Sequence, residues 1–163
     1  MKVLVVYYSL EGNTKEAAEK IASGLDADTM QLLPVKDIPK KGLLKFLHGG
    51  SGATKAKGTE LQPYSRNAAD YDAIILGTPV WASRPSMAMN QFLSDYSEKE
   101  KIIGAFAFAA GGDCSKCLAR LKDKAPSIKA TCALADRKNK KLAADNEKKL
   151  GDFVSALKTL TET

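Results

Sequence analysis

Short apolar runs alternate along the chain with segments of helical spacing. Val3-Leu4-Val5-Val6 leads into a polar stretch, after which Ala17, Ala18, Ile21 and Leu25 fall on one face of a 3.6-residue period. The same alternation continues to the end of the chain. It predicts strands over 2–8, 29–33, 73–77, 102–110 and 128–134, and helices over 14–25, 86–96, 115–124 and 140–160. The runs AIILG and IIGAFAFAA are apolar on both sides of the pleat, as strands covered on both faces must be. Strands alternating with helices argue for an α/β fold whose parallel sheet has helices on both faces.

Helix ends carry local signals. Asn13 followed by Glu16 has capping-box spacing, and Pro85 reads as a first-turn proline. Residues 34–70 are the irregular part. A short apolar patch (Leu43, Leu44, Phe46, Leu47) is broken by Gly49-Gly50-Ser51-Gly52, and a connection of this length is commonly a functional cover. No shift in composition divides the chain, so residues 1–163 read as one domain.

Composition narrows the class. Hydrophobic content of 44% and charged content of 27% are ordinary for a globular protein. No apolar run approaches a membrane span, and Met1-Lys2 leads straight into a strand without a secretory pattern. Three cysteines without framework spacing fit a reducing cytoplasm. The net charge is +6. Lys36, Lys40, Lys41, Lys45, Lys55 and Lys57 form one basic cluster, and Arg137-Lys138-Asn139-Lys140-Lys141 forms another. Neither is interleaved with aromatics as a nucleic-acid groove would be, so the charge points to acidic protein partners or to a solvated surface.

Three polar turns follow the first, third and fourth predicted strands: Ser9-Leu10-Glu11-Gly12-Asn13-Thr14, Thr78-Pro79-Val80-Trp81-Ala82-Ser83-Arg84-Pro85, and Gly111-Gly112-Asp113-Cys114 onward. In a parallel sheet all three lie on one edge. With strand order 2-1-3-4-5, the order reverses between the first and third strands, where ligands bind. The first turn opens a helix whose N-terminal N–H groups and dipole suit a phosphate. Gly12 admits close backbone approach, and Ser9, Asn13 and Thr14 add short donors. The turn is neither GxxxxGK[ST] nor GxGxxG, so it suits a phosphate monoester rather than a triphosphate or a pyrophosphate. Glu11 is expected to point away. Trp81, the lone tryptophan, offers a face to a flat ring. Ser9 and Thr14 as simple helix caps and Trp81 as packing are the alternative readings.

At these residues the chain resembles the flavodoxin family. The matching pieces are VLVVYYSLEGNTKEAAEKIA, AIILGTPVWASRPSMAMNQFL and FAFAAGGDCSKCLARL, in the family's order and spacing over nearly the whole chain. The resemblance implies a flavodoxin-like three-layer sandwich, with a five-stranded parallel sheet in order 2-1-3-4-5. It implies flavin mononucleotide (FMN), with the phosphate on Ser9, Leu10, Glu11, Gly12, Asn13 and Thr14. The ring would lie between Thr78, Pro79, Val80, Trp81, Ala82 and Ser83 on one side and Ala110, Gly111, Gly112 and Asp113 on the other. Two features differ from many flavodoxins: the third turn has no tyrosine, and the chain is basic.

The implied function is electron transfer on non-covalently bound FMN between redox partner proteins. The alternative is an FMN-dependent NAD(P)H oxidoreductase acting on a quinone or another small molecule. Small size favours the carrier, whereas an open ring face favours the enzyme. A phospho-acceptor receiver of the same topology is set aside, because Tyr8-Ser9 and Thr78 stand where its acids would be. No catalytic residue and no metal ligand set emerges. Cys114-Ser115-Lys116-Cys117 is a CxxC at a helix start, open to a redox reading. Yet Cys114, Cys117, Leu118 and Leu121 also make an i, i+3, i+4, i+7 core stripe. With only Cys132 elsewhere, the thiols fall short of a zinc site. His48, the single histidine, reads as a solvated loop residue.

Overall fold

The computed structural model describes residues 1–37 and 58–162. The predicted patch at Leu43, Leu44, Phe46 and Leu47, the glycine break, His48 and the lysines from Lys40 to Lys57 lie outside the described residues.

The first strand, β1 (Val3–Tyr7), is buried at every position. It leads into α1 (Asn13–Leu25) and β2 (Asp28–Gln31). Then come β3 (Ala73–Trp81), the two-residue β4 (Arg84–Pro85), α2 (Met87–Asp95) and β5 (Ile102–Ala109). The chain continues with α3 (Ser115–Lys124), β6 (Ala130–Ala135), the four-residue α4 (Lys140–Ala143) and α5 (Asn146–Thr161). Strands pair in the order β2-β1-β3-β5-β6, all parallel, and β4 adds to β3 antiparallel. With β4 set aside as a hairpin return, this is the five-stranded 2-1-3-4-5 sheet of the flavodoxin-like fold.

Alternate residues of each strand feed two cores. Leu4, Val6, Ile74 and Leu76 pack on one face with Met89, Phe92 and Leu93 of α2 and Cys117, Leu118 and Leu121 of α3. Val3, Val5, Ile75 and Phe106 pack on the other with Ala17, Ala18 and Ile21 of α1 and Leu150, Phe153 and Leu157 of α5. The apolar runs are continuous because both faces are covered. Gly77 follows from this packing: a Cβ there would lie 2.2 Å from Phe106 Cζ.

Four local expectations are corrected. Asn13 and Glu16 do not form a capping box. Gly12, in a left-handed conformation at φ 98°, is the N-cap, and α1 has no side-chain cap. The Asn13 and Glu16 side chains are instead engaged by Arg137. Pro85 belongs to β4, and Ser86 caps α2 by accepting from Met89 N at 3.2 Å. The third strand does not stop at Gly77 but continues to Trp81, because its end is paired by the returning β4. The last helix is broken after Ala143. Its second part starts at Asn146, whose amide accepts from Ala135 N at 3.1 Å and donates to Ala135 O at 2.8 Å. That buried clamp on the end of β6 fixes where α5 begins.

No helix among the described residues is long and apolar enough to cross a membrane. Two backbone bonds, Val35 N to Glu60 O at 2.9 Å and Gln62 N to Leu33 O at 2.8 Å, bring residues 33–35 and 60–62 side by side.

Candidate functional site

A cleft opens at the C-terminal edge of the sheet, beside the point where strand order reverses between β1 and β3. It is lined by Ser9, Leu10, Glu11, Asn13 and Thr14 after β1, and by Pro79, Val80 and Trp81 at the end of β3. Phe108, Ala109 and Ala110 at the end of β5, with Asp136 after β6, complete the wall.

The first turn is built to leave donors free. Ser9 Oγ accepts from Gly12 N at 3.1 Å, and Glu16 N donates to Gly12 O at 3.0 Å. The chain thus reverses at Gly12, where only glycine adopts a positive φ without strain. A Cβ on Gly12 would meet nothing within 4 Å. The leading N–H groups of α1 therefore face an open space at the positive end of the helix dipole. Thr14 is 2% exposed, and its hydroxyl has no hydrogen-bond partner among the described residues. Thr14 lines the cleft, where a ligand or water can meet that hydroxyl.

Glu11 lines the cleft instead of pointing away from it as expected, and its charge is opposed there. Its carboxylate accepts from Lys138 Nζ at 3.0 Å, and that contact raises the lysine's pKa. Arg137 Nε donates to Asn13 Oδ1 at 2.7 Å, and the same guanidinium pairs with Glu16. The second basic cluster thus braces the first turn. Lys15 pairs along α1 with Glu19 at 3.9 Å.

The second turn is a hairpin. Trp81 pairs with Arg84 across Ala82 and Ser83, both of which have positive φ, 47° and 62°. Positive φ at both central residues is the geometry of a type I′ turn, which ordinarily uses Asn-Gly. Trp81 is 7% exposed; it lines the cleft and makes an edge-to-face contact with Tyr8. Thr78 is fully buried and does not line the cleft. Its hydroxyl accepts from Ser86 N at 3.0 Å and so anchors α2 behind the hairpin. Ala82 and Ser83 stand exposed at the hairpin tip.

The third turn contributes Ala110 to the cleft wall. Gly111, Gly112 and Asp113 lie beyond that wall. Gly112, at φ 77°, closes the turn by donating to Ala109 O at 3.0 Å. Asp113 accepts from Ser115 N at 2.9 Å and from the Ser115 hydroxyl, bonds that hold its pKa below the usual carboxylate range. Phe108, Ala109 and Asp136 line the cleft without a signal in the sequence. Phe108 and Ala109 read as strand interior, and Asp136 is brought in by its N–H, which donates to Ala109 O at 3.1 Å.

Cys114 and Cys117 face the core. Burial pushes their thiols up to about 11 and about 12, and Cys114 Sγ donates to Ala107 O at 3.2 Å. A reactive thiol needs the opposite shift. Cys132 is likewise buried, with its pKa raised to about 12. Among the described residues no group of three or more His, Cys, Asp or Glu side chains is gathered to hold a metal ion.

The family model for flavodoxin matches residues 2–150, and the chain belongs to that family. Solved structures share the fold. One from Bacteroides eggerthii DSM 20697 superposes with a TM-score of 0.71 at 24% identity, over 80% of this chain and 86% of that one. A flavoprotein from Lactobacillus acidophilus NCFM, solved in complex with FMN, gives 0.63 at 22% identity, over 91% and 97%. An NADH:FMN oxidoreductase in its apo form gives 0.55 at 16% identity, over 96% and 88%.

Proposed function

We propose that this flavodoxin-family protein binds one FMN non-covalently in the cleft and carries electrons on it between partner proteins. The observation that carries the reading is the division of the cleft into two chemistries. On one side are a helix N-terminus without a side-chain cap and the hydroxyls of Ser9 and Thr14. On the other are the apolar surfaces of Pro79, Val80, Trp81, Phe108 and Ala109. The first set fits a phosphate, and the second fits a planar ring.

The residues present fit the mononucleotide on physical grounds. The space beside Gly12, which a side chain would fill, leaves room for phosphate oxygens against the backbone. The turn has a single left-handed glycine and lacks the further glycines that admit a pyrophosphate. Ser9, Gly12, Asn13 and Thr14 would hold the phosphate by hydrogen bonds. Lys138, paired with Glu11, lowers the cost of a dianion beside that carboxylate. Trp81, held edge-on by Tyr8, would form a wall for the ring and keep water from that side. When bound, the isoalloxazine supplies reversible one- and two-electron chemistry.

Partner proteins of acidic character fit this reading. Lys140 stands exposed in a recess that adjoins the cleft, Lys141 follows it in sequence, and opposite charge speeds docking at low salt. A second reading, reduction by a nicotinamide nucleotide, draws support from an adjoining recess. Ala110, Asp136, Lys138, Asn139 and Lys140 line it, and Ala110 and Asp136 are shared with the cleft. A nucleotide phosphate on the lysines would leave its ring near the flavin.

The test is direct. Purified protein is expected to be yellow, and heat-released cofactor to run as FMN. Colourless protein that also fails to take up added FMN would overturn the reading. NADH or NADPH added without a partner then separates the two roles: a carrier keeps its flavin colour on the turnover timescale, whereas a reductase loses it.

A further inference from the structure

We infer that Arg137 is a positioning residue for the phosphate site, acting through the side chain of Asn13; the inference rests on the cofactor reading above. Arg137 comes from the loop after β6 and Asn13 from the first position of α1, 124 residues earlier. Arg137 Nε donates to Asn13 Oδ1 at 2.7 Å, and the rest of the fork pairs with Glu16 one turn along the same helix.

The chemistry of a carboxamide makes this contact consequential. Asn13 has one acceptor oxygen and two N–H donors on the opposite arm. Left free, it can turn either arm toward an anion, and the oxygen would repel phosphate. Arg137 removes that choice. A flipped amide would set N–H against guanidinium N–H, donor against donor. With the oxygen held, the nitrogen is directed away from Arg137. Asn13 lines both the cleft and the neighbouring recess that contains Arg137. The side away from Arg137 is therefore the cleft, where the two N–H donors join the α1 backbone N–H groups and the Thr14 hydroxyl.

The guanidinium is itself held in place. Glu16 also accepts from Lys20 at 3.3 Å, and Lys20 continues to Glu147 of α5. Paired with Glu16 and 55% exposed, Arg137 has a largely neutralised, screened charge. Its effect is orientation rather than long-range attraction. A lysine at the same place lacks the planar fork that serves Asn13 and Glu16 together.

The experiment titrates FMN and riboflavin, which lacks the phosphate, into wild-type apoprotein and into R137A, R137M, R137K, N13A and the double variant R137A/N13A. R137A and R137M are expected to weaken FMN about tenfold, the scale of one lost hydrogen bond to a charged group. Riboflavin binding is expected to stay unchanged. N13A should reproduce the FMN loss, the double variant should lose no more than N13A alone, and R137K should recover part of it. Equal loss for both ligands would overturn the inference by making Arg137 merely structural. Additive losses in the double variant would overturn it by making Arg137 an independent cation. An unchanged ratio of FMN to riboflavin affinity in both R137A and R137M would also overturn it. Wild-type protein that binds neither ligand would instead fell the cofactor reading, and this inference with it. Melting temperatures of the variants establish that each is folded, as the exposure of Arg137 leads one to expect.

Discussion

The ring of Trp81 meets the ring of Tyr8 edge-on, with centroids 5.5 Å apart and planes at 83°. Tyr8 in turn donates its hydroxyl to Asp37 at 2.7 Å, and burial, followed by that bond, raises its pKa. The edge-to-face contact holds Trp81 where it also lines the cleft. Its emission is therefore expected to fall sharply when apoprotein takes up FMN. Unchanged emission on binding would return Trp81 to a purely packing role against Tyr8.

Thr14 is the most specific probe of the proposed phosphate end. Thr14→Val keeps the shape of the side chain and removes a hydroxyl that makes no side-chain hydrogen bond among the described residues. FMN affinity is expected to drop by about 1.5–3 kcal/mol, the scale of a lost hydrogen bond to a charged group. The unfolding midpoint of the apoprotein should stay level or rise. A fall in apoprotein stability with no change in affinity would show that the hydroxyl serves the fold.

The hairpin tip stores strain. Ala82 and Ser83 both have positive φ, at a cost of about 1–2 kcal/mol per residue with a side chain. Replacing the pair by Asn-Gly, which adopts this turn readily, is expected to raise stability by about 1 kcal/mol after the entropy glycine gains in the unfolded chain. Urea unfolding measures it. A loss of stability would mean that the Ala82 or Ser83 side chain makes contacts worth more than the strain.

The buried thiols set an alkaline limit. In the folded state the pKa values of Cys114, Cys117 and Cys132 rise from the ordinary 9.0 to about 11, about 12 and about 12, chiefly by burial. Above 9.0 the unfolded chain releases protons that the folded chain keeps, so stability falls as pH rises through that range. Under reducing conditions, the unfolding midpoint should decline from pH 9 upward, and less steeply when all three cysteines are replaced by alanine. The C114S/C117S pair should leave flavin reduction rates within a few-fold, since neither thiol reaches the cleft wall. A large selective loss would restore a redox role.

Local pattern determined the architecture. Strands buried on both faces must be apolar throughout, and helices on a sheet must carry a stripe, so VLVVY, AIILG and IIGAFAFAA were legible beside the stripes of α1, α2 and α3. The polar turn at Ser9–Thr14 was legible too, because short polar side chains and a glycine between an apolar run and a helical stripe mark a strand-to-helix turn. Tertiary structure alone decided what those residues face. Arg137 and Asn13 are 124 positions apart, so no local spacing announces that an arginine holds the asparagine's oxygen, or that it takes Glu16 out of a capping box. Asp136 enters the cleft only because its N–H closes onto Ala109. The break before Asn146 is hidden within an unbroken helical period, since its cause is a clamp on β6. Trp81 was visible as an aromatic at the right edge, but its orientation depends on Tyr8, which reads in sequence as the last residue of a strand. Sequence fixes which groups exist and their local spacing; which arm of a side chain turns toward a ligand is set by partners that only the folded chain brings within hydrogen-bond reach.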